Sequence, residues 1–187
     1  MRTCLVTGGA GFIGSHIVEA LLDRGDTVRV LDNLGTGFRA NISDDVEFIE
    51  GDLCDASTVA KAVEGVECVF HQAALASVPL SIERPLDTNA ACVTGTLTLL
   101  DQAHRAGVRR LMYAASSAAY GDRSFSAKRE TDLPMILSSY AAAKLAGEHY
   151  CQAFFHTHGF ETVCLRYFNA YPSAQLATPS ILQLLPV

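Results

Sequence analysis

Apolar positions along the chain come in short, nearly continuous runs, separated by longer stretches in which they recur at helical spacing. The runs predict strands at Thr3 to Thr7, Thr27 to Leu31, Val46 to Glu50, Cys68 to His71, Arg110 to Ala114 and Thr162 to Arg166. The periodic stretches predict helices over Ile13 to Arg24, Ser57 to Val63, Leu86 to Ala106 and Ser139 to Thr157. Strands apolar along their length that alternate with helices belong in a parallel sheet covered on both sides. Right-handed crossovers then give an α/β fold, a doubly wound parallel sheet (Rossmann-like) with helices on both faces and ligand at the carboxyl ends of its strands. This pattern organises residues 1–171 as one domain. Residues 172–187 contain Pro172, Pro179 and Pro186, no charge and one short apolar run, and read as an irregular C-terminal tail.

Composition narrows the function classes. A chain of 187 residues, 49% hydrophobic and 18% charged, buries a real core and is not a disordered segment. A formal charge of −6, a pI near 5.4 and the lack of any Lys/Arg-rich run exclude a nucleic-acid surface. Six cysteines (Cys4, Cys54, Cys68, Cys92, Cys151, Cys164) lie far apart with no C-x-x-C pair, several inside apolar runs. They read as reduced thiols rather than three disulfides, and no metal site is expected. No apolar run reaches the roughly 18 residues that span a bilayer. The chain enters its first strand with no signal-peptide pattern, so the expected setting is the cytoplasm, with no membrane partner.

Two motifs carry the candidate chemistry. Gly8-Gly9-Ala10-Gly11-Phe12-Ile13-Gly14 follows the first strand and opens the first helix. Glycines allow a tight turn and let the backbone approach phosphates, while the helix N-terminus offers free N–H groups and a positive dipole end. Asp32 ends the second strand some 20 residues on, where a carboxylate accepts from ribose hydroxyls and repels a 2′-phosphate. NAD is therefore favoured over NADP, with Arg39 nearby as a counterweight. Asp52 has two readings, a contact to the adenine amino group or the N-cap of the following helix. Gln72-Ala73-Ala74 follows the fourth strand, small enough to run beside a nicotinamide ribose, whereas His71 reads as a buried, hydrogen-bonded imidazole.

The second motif is Tyr140-Ala141-Ala142-Ala143-Lys144, a phenol and an ammonium on one helical face. A tyrosine pKa near ~10 brought to about 7 requires roughly 4 kcal/mol of phenolate stabilisation at ~1.36 kcal/mol per unit. Lys144 and a cationic nicotinamide are candidates to supply it. Ser116-Ser117 follows the fifth strand, so Ser116, Tyr140 and Lys144 form a candidate relay around a carbinol oxygen.

With these motifs in view, the chain resembles the extended short-chain dehydrogenases/reductases of the NAD-dependent epimerase/dehydratase family, most of all its UDP-glucose and UDP-N-acetylglucosamine 4-epimerases. The matching stretches are Thr7 to His16, Asp32 to Gly37, Gly51-Asp52-Leu53, Phe70 to Pro79, Gly95-Thr96, Ala114 to Asp122, Tyr140 to His149 and Leu165 to Asn169. The resemblance implies Tyr140 as general base, Lys144 as the group that lowers its pKa and holds the ribose, and Ser116 as hydrogen-bond partner of the sugar 4-OH. It places Phe12, Ile13, Asn33, Gly37, Leu53, Phe168 and Tyr140 itself in the NAD-contacting set, and Ser77, Ser117 and Asn169, with Ser116 and Tyr140, in the substrate set. It implies transient oxidation of a UDP-hexose at C4, with a nucleotide-sugar dehydrogenase or a non-catalytic NAD-binding protein as alternatives. A homodimer through the helices Leu86 to Ala106 and Ser139 to Thr157 is what relatives often form, and the apolar faces of these helices suit a four-helix interface and burial within the monomer equally. The 4,6-dehydratases of this superfamily carry Thr-Asp-Glu where this chain has Ser116-Ser117-Ala118, which argues against dehydration.

Four departures stand out: Cys92 for the usual Asn, Ser139 for the usual Pro before the tyrosine, Pro172-Ser173-Ala174-Gln175 for Gly-Pro-Arg-Gln, and the end at Val187. They lead to the expectation of a truncated relative whose C-terminal substrate lobe is absent, retaining NAD binding with little or no UDP-sugar turnover.

Overall fold

The computed structural model describes residues 1–122 and 127–171. The predicted tail 172–187 and its departure at Pro172 lie outside them. Six strands, β1 (Thr3–Thr7), β2 (Thr27–Asp32), β3 (Glu47–Glu50), β4 (Cys68–His71), β5 (Arg110–Ser116) and β6 (Glu161–Tyr167), form one parallel sheet in the order β3-β2-β1-β4-β5-β6. The helices are α1 (Phe12–Asp23), α2 (Ala56–Val63), α3 (Val78–Glu83), α4 (Pro85–Asn89), α5 (Gly95–Arg105) and α6 (Ser139–His158). This is the doubly wound architecture that the alternation of strands and helices predicts.

Alternating side chains sort the core into two layers. Leu5, Leu31, Val69, Leu111 and Tyr113 face Val59 of α2, Leu99 and Leu100 of α5 and Cys151 of α6. Cys4, Val6, Val28 and Val30 face the other way and meet Val18 and Leu21 of α1. Leu5, Leu99, Leu100 and Leu111 have no exposed surface, so each contributes about 1.5–3 kcal/mol of burial. Over β6 the α1 side of the sheet is more open, with Val163 and Leu165 40% and 41% exposed. Arg29 of β2 donates to the carbonyls of Ala62 and Glu64, capping the C-terminus of α2 against the sheet.

Local structure departs from the sequence reading in three places. Ser77, accepting the Leu80 N–H, and Pro79 in the first turn start the short helix α3, where the sequence pattern predicts no element. Pro85 then starts α4 one residue ahead of the predicted 86–106 helix. That helix is interrupted by a π turn at Ala90–Thr94, which contains Cys92. Strand β5 runs on to Ser116, pairing with Tyr167, so Ser116 ends the strand instead of following it.

Because β1 lies between β2 and β4, the crossovers leave in opposite directions after β1 and β4, and the turns that follow them part to form a crevice.

Candidate active site

The turn after β1 is shaped by contacts that exclude side chains. Gly8 has a φ of +71°, and a Cβ there would stand 2.6 Å from the Ala73 nitrogen. A Cβ on Gly14 would stand 2.1 Å from the Gly8 carbonyl oxygen, and one on Gly37 2.7 Å from Ala10 Cβ. Gly11 is the N-cap of α1, which has no side-chain cap and no acidic residue in its first turn, so the leading N–H groups at Phe12, Ile13 and Gly14 face outward uncapped. This turn fits a diphosphate: its leading backbone donors are uncapped, and the close approaches at Gly8, Gly14 and Gly37 leave no room for a Cβ.

Asp32, 8% exposed, ends β2 with one carboxylate oxygen accepting the Ala10 N–H (2.9 Å) and the other the Leu34 N–H (2.8 Å). It pins the glycine turn, and each oxygen keeps a lone pair for a further donor. Asn33 is exposed and its side-chain oxygen accepts the Gly35 N–H. The Arg39 guanidinium donates to the Ile42 carbonyl and lies over the Phe48 ring at 5.0 Å, tied to its own segment. Asp52 is not the cap of α2: Asp55 is, accepting from Ser57 N–H. Asp52 is exposed, holds the Cys54 N–H and lies beside buried Leu53, which keeps its adenine-side reading open. Gln72 N–H donates to the Thr7 carbonyl, which brings Ala73 against Gly8 and leads into half-buried Ala74.

Across the crevice, α6 carries the tyrosine and lysine. Its N-cap is Ser138, accepting the Ala141 N–H, and Ser81 of α3 accepts the Tyr140 N–H at 3.1 Å. The Tyr140 phenol is pushed up by burial, partly offset by the Ser116 hydroxyl beside it. Burial wins. Ser116, 9% exposed, also accepts the Ala118 N–H. Lys144, 3% exposed, donates to the Ala114 carbonyl at 2.9 Å and lies 5.0 Å over the Tyr113 ring, and burial lowers its pKa. The ammonium is thus held by β5, and the expected depression of Tyr140 by Lys144 is not what governs the phenol in this arrangement.

The supporting residues were not read from the sequence. Tyr113, with no exposed surface, donates to the Lys144 carbonyl at 3.2 Å. A Cβ on Gly147 would stand 2.2 Å from the Tyr113 oxygen, so α6 seats on β5 only because residue 147 lacks a side chain. A Gly three residues after the lysine in an otherwise good helix was the available signal. Glu148 pairs with Arg166 of β6 through bonds of 2.8 and 2.9 Å, fixing the other end of the same face.

The remaining candidates are placed less closely. Ser77 is the N-cap of α3, and half-buried Ser117 opens a short turn after β5. Phe168 is 64% exposed and stacks on Tyr120, while exposed Asn169 donates to the Tyr171 oxygen. Among the described residues no cluster of His, Cys, Asp or Glu has the form of a metal site, and no helix is long and apolar enough to cross a membrane.

Comparison with known proteins decides the family. The epimerase model, described as the NAD dependent epimerase/dehydratase family, matches residues 4–179. The chain belongs to this family. It is 38% identical over 171 residues to the UDP-glucose 4-epimerase of Halalkalibacterium halodurans, covering 89% of this chain and 50% of that one. Among solved structures it is similar to the Thermus thermophilus UDP-glucose 4-epimerase complex with NAD (TM-score 0.85, 43% identity, 88% of this chain and 54% of that one). It is also similar to the Methanobrevibacter ruminantium UDP-N-acetylglucosamine 4-epimerase in complex with UDP-N-acetylmuramic acid (TM-score 0.87, 37% identity, 91% and 56%). The chain spans about half the length of the curated relatives it matches.

Proposed function

We propose that the chain is the NAD-binding and catalytic part of a nucleotide-sugar 4-epimerase acting on a UDP-hexose. The observation that carries this reading is the meeting of Ser116, Tyr140 and Lys144 at the end of β5, across the strand-order reversal from a glycine cradle shaped for a diphosphate. The family and the printed ligands of the similar structures point the same way.

Gly8, Gly11 and Gly14 hold the diphosphate, Asp32 the adenosine ribose, and Asp52 and Leu53 flank the adenine. Lys144 and the Gln72-Ala73-Ala74 backbone face the second ribose. Bound NAD supplies a hydride acceptor that is also the donor of the return step. Tyr140 Oη takes the proton of the sugar 4-OH and gives it back, with the Ser116 hydroxyl holding the same oxygen. Its burial keeps the proton on Tyr140 in the resting site, so proton uptake from sugar needs cationic help at that oxygen, and Lys144 is the cation on the same helical face. Ser117 and Ala118 supply no carboxylate to expel water from the keto sugar, which favours epimerisation over dehydration.

The test is the chain in molar excess over a panel of UDP-hexoses with NAD, followed by proton NMR at C4 and by NADH absorbance. Inversion at C4 with no net NADH supports the reading. Stoichiometric NADH with a keto sugar would replace it with a dehydrogenase. Pairing of two copies through α4, α5 and α6 is part of the same reading, supported by the open apolar side chains of Leu86 and Phe155, 83% and 50% exposed. Sedimentation of the chain as a monomer at every concentration would remove that part.

A further inference from the structure

Buried polar groups at the ends of β1 and β4 form one chain of hydrogen bonds. Thr7 Oγ1 lies 2.7 Å from His71 Nδ1, and His71 Nε2 lies 2.9 Å from Thr96 Oγ1. The Thr96 hydroxyl donates to the Cys92 carbonyl at 2.8 Å. Its one proton is committed there, so the Thr96 oxygen accepts from His71 Nε2–H. Burial and the nearby Lys144 charge hold the His71 pKa down at about 3, so Nδ1 stays unprotonated and accepts the Thr7 hydroxyl proton. The Thr7 oxygen then accepts the Ala73 N–H at 3.4 Å. Donor counting therefore sets one tautomer and one direction, from Ala73 N–H through Thr7, His71 and Thr96 to the Cys92 carbonyl.

The two ends of this chain matter. At one end, Gly8 and Ala73 are in backbone contact, yet the β1–β4 pairing ends at Thr7 and His71 and only the Gln72-to-Thr7 bond continues the ladder. At the other end, Cys92 lies in the π turn, where the ladder slips by a residue and carbonyls turn to outside donors. The Cys54 thiol takes a second such carbonyl, that of Ala90, at 3.2 Å. The π turn packs against α6, the helix that carries Tyr140 and Lys144.

We propose that His71 is a positioning residue that locks the Gly8 turn and the Gln72-Ala73-Ala74 segment to the π turn behind Tyr140. The inference rests on the NAD reading above. It explains why a fully buried imidazole with two hydroxyl partners lies beneath a site in whose proton path it has no place.

Two measurements test it. The first is 15N NMR of the histidines in the NAD-free chain between about pH 5.5 and about pH 9, where an unperturbed histidine titrates. The expected result is a non-titrating ring with Nε2 protonated and Nδ1 bare; titration in that range or the opposite tautomer would overturn the relay whether or not NAD binds. The second is NAD affinity of the wild type, Thr96→Val and Thr96→Ser, with thermal denaturation of each. Thr96→Val orphans the His71 N–H and is expected to weaken NAD binding by about tenfold or more, whereas Thr96→Ser, which keeps the hydroxyl, stays within about threefold of wild type. NAD affinity unchanged in Thr96→Val, or Thr96→Ser no better than Thr96→Val, would overturn the positioning role. No NAD binding by the wild type would sink the NAD reading instead, leaving the NMR result to judge the relay by itself.

Discussion

The glycine turn after β1 and the hydroxyl cluster at the end of β5 are built by opposite means. The first is made by leaving side chains out: Gly8, Gly14 and Gly37 sit where a Cβ would collide with backbone or Ala10. The second is made by burying large side chains on long-range partners: Tyr113, Lys144 and Tyr140 are held by β5, by α3 and by the notch at Gly147. A turn of the first kind is encoded in a few adjacent residues. A cluster of the second kind depends on elements far apart in sequence, so its weak points lie away from the reacting groups.

Substitutions separate the two kinds of construction. The largest expected effect is Tyr140→Phe, which removes the proposed proton carrier and lowers the C4 inversion seen with the chain in molar excess by about 10²–10⁴-fold, while NAD affinity stays within about threefold. Next is Gly14→Ala, whose methyl meets the Gly8 carbonyl: NAD affinity falls by about tenfold or more, read by calorimetric titration, and the overpacking costs about 1–3 kcal/mol in urea unfolding. Gly147→Ala is expected to cost a similar amount of stability but to reach the active site only through Tyr113. The new methyl strikes the Tyr113 ring as well as its oxygen, so Tyr113→Leu, which removes both, should show coupling of about 0.5–3 kcal/mol with Gly147→Ala in a double-mutant cycle. Additivity would mean the notch does not seat α6.

Smaller effects fall on the caps. Ser138→Ala, at the start of α6, is expected to cost about 1 kcal/mol and to lower turnover more than NAD affinity. Asp55 caps α2, and the Thr58 and Ser57 hydroxyls hold its carboxyl down at about 2. The sign follows: the folded state favours the carboxylate, so its contribution is complete above the unfolded value near 3.8 and fades as pH falls through about 2. Asp55→Asn should flatten that part of the melting-temperature profile and leave the profile near neutrality almost unchanged.

The same contrast explains what was legible in the sequence. The six strands, the glycine cradle, Asp32 at a strand end and the Tyr140–Lys144 spacing all depend on neighbours within one element or one turn, and each can be read from local pattern. His71 was legible as a buried imidazole because an apolar strand carried it inward, where it has no exposed surface. The helix α3, the π turn and the cap of α2 were not, because Pro79 masked a short helix and Asp52 and Asp55 offer equivalent side chains three positions apart. Ser81, Tyr113 and Gly147 were missed because their roles exist only once α3, α6 and β5 meet.

The central claim is that the crevice between the β1 and β4 turns holds a dinucleotide with Tyr140 on its far wall. Titration of NAD into the chain, the Gly14→Ala variant and the Tyr140→Phe variant tests it most directly. The account predicts saturable one-to-one binding that the glycine substitution weakens and the tyrosine substitution spares. Binding that is absent from the wild type, or indifferent to Gly14, would contradict it.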